Sequence, residues 1–198
     1  LDLTNKAWAH MDPQLWSMHH SLVILDVSYN KLVTIPPEIG KLQMLREFRA
    51  AFNMLTSLPP EIGKLKRLRK LILNTNKLKT IPKELGKLEM LEELVLSENH
   101  IEELPNNLTA MSMLRVLKLQ NNKLKMVPYE IADISTLEEL NVEGNVNLDM
   151  VPKSWQGDSA SVLFICRVHR GYYFRMDELS SSNEDMIKHS QFLEQEQL

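Results

Sequence analysis

The sequence predicts an α/β solenoid. Short parallel strands stack into one sheet on the concave face, and short helical or irregular segments make the convex face. Three observations carry this prediction: leucine supplies 33 of the 198 residues, asparagine recurs at a fixed interval of 23, and each interval holds a stretch of alternating apolar residues followed by proline. An excess of one residue at a fixed period marks supersecondary units that cannot cover their own apolar side chains and so stack on one another.

The period is carried by Asn30, Asn53, Asn76, Asn99, Asn122 and Asn145, and by Pro36, Pro59, Pro82, Pro105, Pro128 and Pro152, with one extra residue before the last proline. Five complete units follow: Leu22–Met44, Leu45–Arg67, Leu68–Met90, Leu91–Met113 and Leu114–Thr136. A sixth opens at Leu137. Its extra residue falls after Asn145, because Leu148 stands three places beyond the asparagine where the other units have an apolar residue two places beyond. This reads as a bulge in the turn.

Each unit approximates L-x-x-L-x-L-x-x-N-x-L-x-x-L-P, continued in three of the five by x-E-(I/L)-G-K-L. The alternating stretch suits a strand with one face in the core. The asparagine then turns the chain, its amide bonding backbone groups that the turn leaves unpaired. Stacking aligns these amides into an interior ladder, and losing a rung strands buried polar groups at about 1–3 kcal/mol. Proline, with its fixed φ and no N–H, punctuates the return stretch, and the segment after it forms one or two turns on the convex side.

The ends depart from the pattern. Residues 1–21 read as a degenerate partial repeat: Leu1-Asp-Leu3 mirrors Leu25-Asp-Val27, but Asn5 comes one place early and Trp8, Trp16, His19 and His20 interrupt. The solenoid spans 22–168, and Ser161–Val168 is expected to supply a last strand with Leu163 and Ile165 facing inward. Residues 169–198 form a tail whose Asn183-Glu-Asp185 is a helix-start signal. The tail is a cap folded on the last repeat, a disordered segment or a docking helix.

With the inward leucines at places one, four and six of a unit, places two, three, five, seven and eight point to the concave face. Charge there comes in bands. Arg46, Arg49, Arg69 and Lys70 give way to Glu92, Glu93 and Glu98, then to Arg115 and Lys118, then to Glu138, Glu139 and Glu143. Tyr29 and Phe52 occupy the same column in adjacent units, near Ile72 and Val95. Two readings stand. The bands pair neighbouring strands and the aromatics mean nothing; or Tyr29, Arg46, Arg49, Phe52, Arg69, Lys70, Ile72 and Val95 form a partner-binding site, exposed aromatics beside arginine being what interface anchors are made of.

No catalytic constellation emerges. The histidines at 10, 19, 20, 100, 169 and 189 never reach metal-ligand spacing with a carboxylate. Cys166, the only cysteine, lies in an apolar run and reads as a small buried hydrophobe. The Gly-Lys-Leu triplets at 40, 63 and 86 lack the upstream glycine and downstream hydroxyl of a phosphate loop. Asn107-Leu-Thr109 matches a glycosylation sequon by chance, and Lys31, Lys77 and Lys123 line a solvated rim. No cofactor or metal is expected. A net charge of −3 gives no overall pull toward nucleic acid, and no apolar run approaches the ~20 residues of a membrane span. One cysteine and no leader segment predict a reducing, intracellular setting. Leu1 in place of Met suggests a trimmed start.

The five units at 22–136, with Leu58-Pro-Pro-Glu-Ile-Gly-Lys-Leu65 and near-copies at 35–42 and 81–88, resemble the intracellular Ras-group leucine-rich repeat proteins, including Scribble-type scaffolds. The resemblance implies a right-handed leucine-rich repeat solenoid without catalysis. It further implies protein partners on the concave sheet, among them small GTPases and phosphatase subunits. A non-enzymatic adaptor or scaffold is the first functional expectation. The alternative is a constitutive structural subunit of a large intracellular assembly, cytoskeletal or axonemal, with tail and convex face also buried.

Overall fold

A computed structural model describes residues 1–169. Predicted features of 170–198, including the helix signal at Asn183, lie outside the described residues. Six three-residue strands form one parallel sheet in sequence order: β1 Ile24–Asp26, β2 Glu47–Arg49, β3 Lys70–Ile72, β4 Glu93–Val95, β5 Val116–Lys118 and β6 Glu139–Asn141. Register follows the period, Leu25 opposite Phe48, Phe48 opposite Leu71, and so on to Leu117 opposite Leu140. The central residue of each strand is fully buried, in one continuous core that runs from Met11 to Cys166.

Across the core from the sheet, each return segment is a 3₁₀ helix: Pro37–Lys41, Pro60–Lys64, Lys83–Lys87, Asn106–Ala110 and Tyr129–Asp133. The preceding proline is the N-cap of each, with φ between −72° and −66° in the first four and −56° at Pro128. Glycine in this segment lets neighbouring units touch backbone to backbone. A Cβ on Gly63 would stand 2.4 Å from the Glu84 carbonyl oxygen.

The asparagine ladder forms as expected. Asn99 Nδ2 donates to the carbonyls of Leu73, Leu96 and Ser97, and its Oδ1 accepts the Leu78 N–H at 3.0 Å. Asn53, Asn76, Asn122 and Asn145 likewise donate to a carbonyl of their own unit and one of the unit before, and accept a leucine or isoleucine N–H. The bulge in the sixth unit is a tight turn, closed by the Leu148 N–H on the Asn145 carbonyl at 3.0 Å.

Asn5 is early for a structural reason. The first residues pair with β1 through an Asp2–Asp26 bridge at a spacing of 24, not 23. Trp8 holds the place of Leu32: Lys31 N–H donates to the Trp8 carbonyl at 2.8 Å as Met54 N–H does to Leu32 at 2.9 Å. Asn5 therefore sits in the column before the ladder, with φ 55° like Tyr29 at 58°, and the ladder's own position falls to exposed Lys6, whose backbone N–H donates to Asn30 Oδ1. The extra residue is taken up between the helix Pro13–Met18 and Leu22.

The expected last strand is instead a helix, α1, Ser159–His169. Ser159 Oγ accepts the Leu140 N–H at 2.8 Å and donates to the Leu140 carbonyl at 3.2 Å, occupying the edge of β6 that another strand would need. Asp158 caps the helix by accepting the Ser161 N–H at 3.0 Å, and the Val162 N–H reaches the Asp158 carbonyl. Leu163 and Ile165 are buried as anticipated, on a helix that closes the end of the core with Val162 and Cys166. Buried Gln156 donates Nε2 to the Leu148 and Val151 carbonyls, a glutamine doing a ladder amide's work.

A candidate protein-binding face on the sheet

The face of the sheet turned away from the core presents the columns anticipated from the repeat, with one exception. Ser28, Ala51 and Ser97, at place seven, are buried, not presented. The chain is already turning inward toward the ladder there, and Ser28 Oγ accepts the Ala51 N–H at 3.1 Å.

Place eight is held in the left-handed region in every unit. Tyr29, Phe52, Thr75, Glu98 and Asn121 have φ between 53° and 58°, and Gly144 has φ 73°. Bulky side chains are uncommon in this conformation. Tyr29 and Phe52 accept it and stack, with ring centroids 4.4 Å apart and planes within 7°. Both are exposed, at 53% and 40%.

The charged candidates pair mostly with one another. Arg69 meets Glu92 at 2.5 Å and Lys70 meets Glu93 at 2.8 Å across the β3–β4 step, and Arg115–Glu138 and Lys118–Glu139 repeat the arrangement across β5–β6. Arg49 pairs with Glu47 in its own strand. The Glu93 carboxylate holds the Lys70 ammonium above the ordinary lysine range, and Arg115 holds Glu138 below the ordinary carboxylate range. Exposed pairs of this kind are worth about 0–1 kcal/mol each, and they occupy the cations that form them. Arg46 is different: among the described residues of this face it is the cation with no carboxylate partner. Ile72 and Val95 are half-buried beside the pairs.

Val23 and Ile24, at 39% and 48% exposure, extend the apolar surface onto the first unit. The repeat placed them on this face, but isolated aliphatics carry no signal of their own in a sequence. Among the described residues no cluster of three histidine, cysteine or acidic side chains could hold a metal, and no helix is long and apolar enough to cross a membrane. Burial pushes the Cys166 thiol up to about 12, which leaves it protonated and unreactive.

Models of the leucine-rich repeat match residues 21–42, 43–101 and 89–146, well over half of the chain. The chain belongs to the leucine-rich repeat family. Domains of this family generally serve as protein-binding modules and are usually non-enzymatic. A comparison with curated proteins gives no match. Among 306 matching solved chains, a leucine-rich repeat protein of Leptospira interrogans is 30% identical, over 73% of this chain and 48% of that one, with a TM-score of 0.55. The ectodomain of the Arabidopsis thaliana receptor kinase GASSHO1/SCHENGEN3, in complex with Casparian strip integrity factor 2, is 28% identical over 67% of this chain and 16% of its own, with a TM-score of 0.61. The plant peptide hormone receptor RGFR1, in complex with RGF2, is 28% identical over 71% of this chain and 24% of its own, with a TM-score of 0.63. This chain thus spans less than half the length of each of these proteins. The likeness is to the leucine-rich repeat class and not specifically to the Ras-group or Scribble-type scaffolds.

Proposed function

We propose that this leucine-rich repeat chain is an intracellular adaptor or scaffold module that binds a protein partner on the exposed sheet face. The observation that carries the reading is the solvent-exposed Tyr29–Phe52 stack, two aromatics held against backbone preference where they stabilise no core. RGFR1, a plant peptide hormone receptor, is solved in complex with RGF2, which fits a polypeptide partner here. Small GTPases and subunits of larger complexes, the partners implied by the Ras-group resemblance, are the first to test. The single buried Cys166 is consistent with a reducing compartment.

A second reading, a constitutive subunit of a cytoskeletal or axonemal assembly, is favoured by exposed Met113, Met126 and Val146, remote in sequence from the aromatic stack. Affinity purification from a lysate of the source organism, with the wild-type chain and an Arg49→Glu, Phe52→Ala variant as baits, separates the two. An adaptor loses a small discrete set of proteins on substitution. A structural subunit recovers the same large complex with both baits.

A further inference from the structure

The sheet face is not uniform, and the difference divides it. From β3 to β6 its cations are engaged by carboxylates of the next strand, so a partner landing there must break existing pairs before forming new ones. The first two units differ: on this face they have only Arg49 engaged, by Glu47 of its own strand. They carry the aromatic stack, the exposed aliphatics Val23 and Ile24, and the unpaired guanidinium of Arg46, which lies beside Val23 in the same column. Most of the large exposed apolar side chains of the described residues fall at or before Met54. The left-handed column adds a third argument. The fold needs positive φ at that place, and Gly144 and Asn121 meet the need with residues suited to it. Tyr29 and Phe52 meet it at a cost in backbone energy, as Thr75 and Glu98 do, but they set large apolar rings open to water, for which the fold itself gives no reason.

We infer that the first two units are a docking site for one linear protein segment that sets a large apolar side chain against the Tyr29–Phe52 stack and a carboxylate against Arg46. The inference rests on the protein-binding reading above and narrows it to a place and a chemistry. Charge complementarity fixes the acid, because Arg46 is the cation whose pairing displaces nothing. Arg46 precedes β2 and Phe52 follows it past the turn toward the ladder, so the two stand closer than the ~20 Å that six fully extended residues would span. An extended segment lying over β2 therefore carries its acid within about six residues of its apolar anchor.

The test pans a phage-displayed library of random linear peptides against the full chain, then measures the enriched peptides in solution. Enriched sequences should pair Asp or Glu with Trp, Phe or Leu within that spacing, and their affinity should fall about tenfold or more on Phe52→Ala and on Arg46→Glu. A peptide with its acid changed to lysine should regain affinity for the Arg46→Glu chain, a recovery that an unfolded variant could not give. Lys118→Ala, in a paired band, should leave affinity unchanged. The inference is overturned if no peptide is enriched, if the enriched peptides lack an acid, or if Lys118→Ala weakens them as much as Phe52→Ala. It is also overturned if the chain self-associates through Phe52, which would make a second copy the occupant. Should lysate partners be lost on substitutions within β3–β6 and not in the first two units, the adaptor reading stands and this one fails. Should no substitution on the sheet face matter, both fail.

Discussion

Asn99 shows what a single residue does in this molecule. Its amide joins three carbonyls and one N–H from two adjacent units, all of them away from water. Alanine there leaves these groups unpaired, and at about 1–3 kcal/mol for each unsatisfied group the loss should reach several kcal/mol in urea unfolding. A loss below about 1 kcal/mol would mean that water replaces the amide. The ladder was fully legible in the sequence because its period never slips. Asn5 was not, because an asparagine suits both the rung and the left-handed place before it, and only the added residue ahead of Leu22 decides between them. Cys166 supplies a pH test at the same scale. Burial raises its thiol from 9.0 to about 12, so the folded chain holds that proton more tightly than the unfolded one. The resulting stability is complete below pH 9.0 and declines as pH rises toward about 12. At pH 8 a thiol reagent should label the chain only once denaturant opens α1; labelling of the native chain at the rate of a free thiol would contradict the burial.

At the scale of elements, the strands were predictable and the last one was not. Leu94 sits at the centre of β4 between Leu71 and Leu117, and Leu94→Ala should cost roughly 2–5 kcal/mol in equilibrium unfolding. A loss below about 1 kcal/mol would remove it from the core. The run from Val162 to Cys166 is apolar enough for strand or helix, and its length decides nothing. The deciding signals are Asp158, a capping residue, and Ser159, whose hydroxyl takes the β6 edge. Asp158→Ala should fray α1 and cost about 1 kcal/mol, seen as faster amide exchange from Val162 onward with the strands unchanged. The Asp158 carboxyl is held below the ordinary aspartate range, chiefly by the Ser161 hydroxyl. This cap is therefore intact above the ordinary aspartate range and lost as pH falls through the lowered one.

At the scale of the whole molecule, stability is a sum of contacts between neighbouring units, and the sheet face is a separate layer laid over them. The sequence named the columns of that face and the alternation of its charges. Which charges cancel depends on rotamers and register, and so does the fact that Arg46 is left over while Arg69 and Lys70 are engaged. Tyr29 and Phe52 could be placed in one column from the period alone, but their parallel stacking follows from a left-handed backbone that aromatic residues seldom adopt. The backbone contact at Gly63 has a bearing on shape. Spacing within a sheet is fixed by hydrogen bonds at about 4.8 Å, so an array of this kind bends only as far as its outer rim is wider than its inner one. Glycine at 40, 63 and 86 draws the rim in, whereas the sequence has Thr109 and Ala132 at the same place in the next two units. The rim is thus held tightest over the units that carry the aromatic stack. A Gly63→Ala chain should scatter X-rays as a more sharply bowed particle, its early units fanned apart like pages whose spine has been thickened.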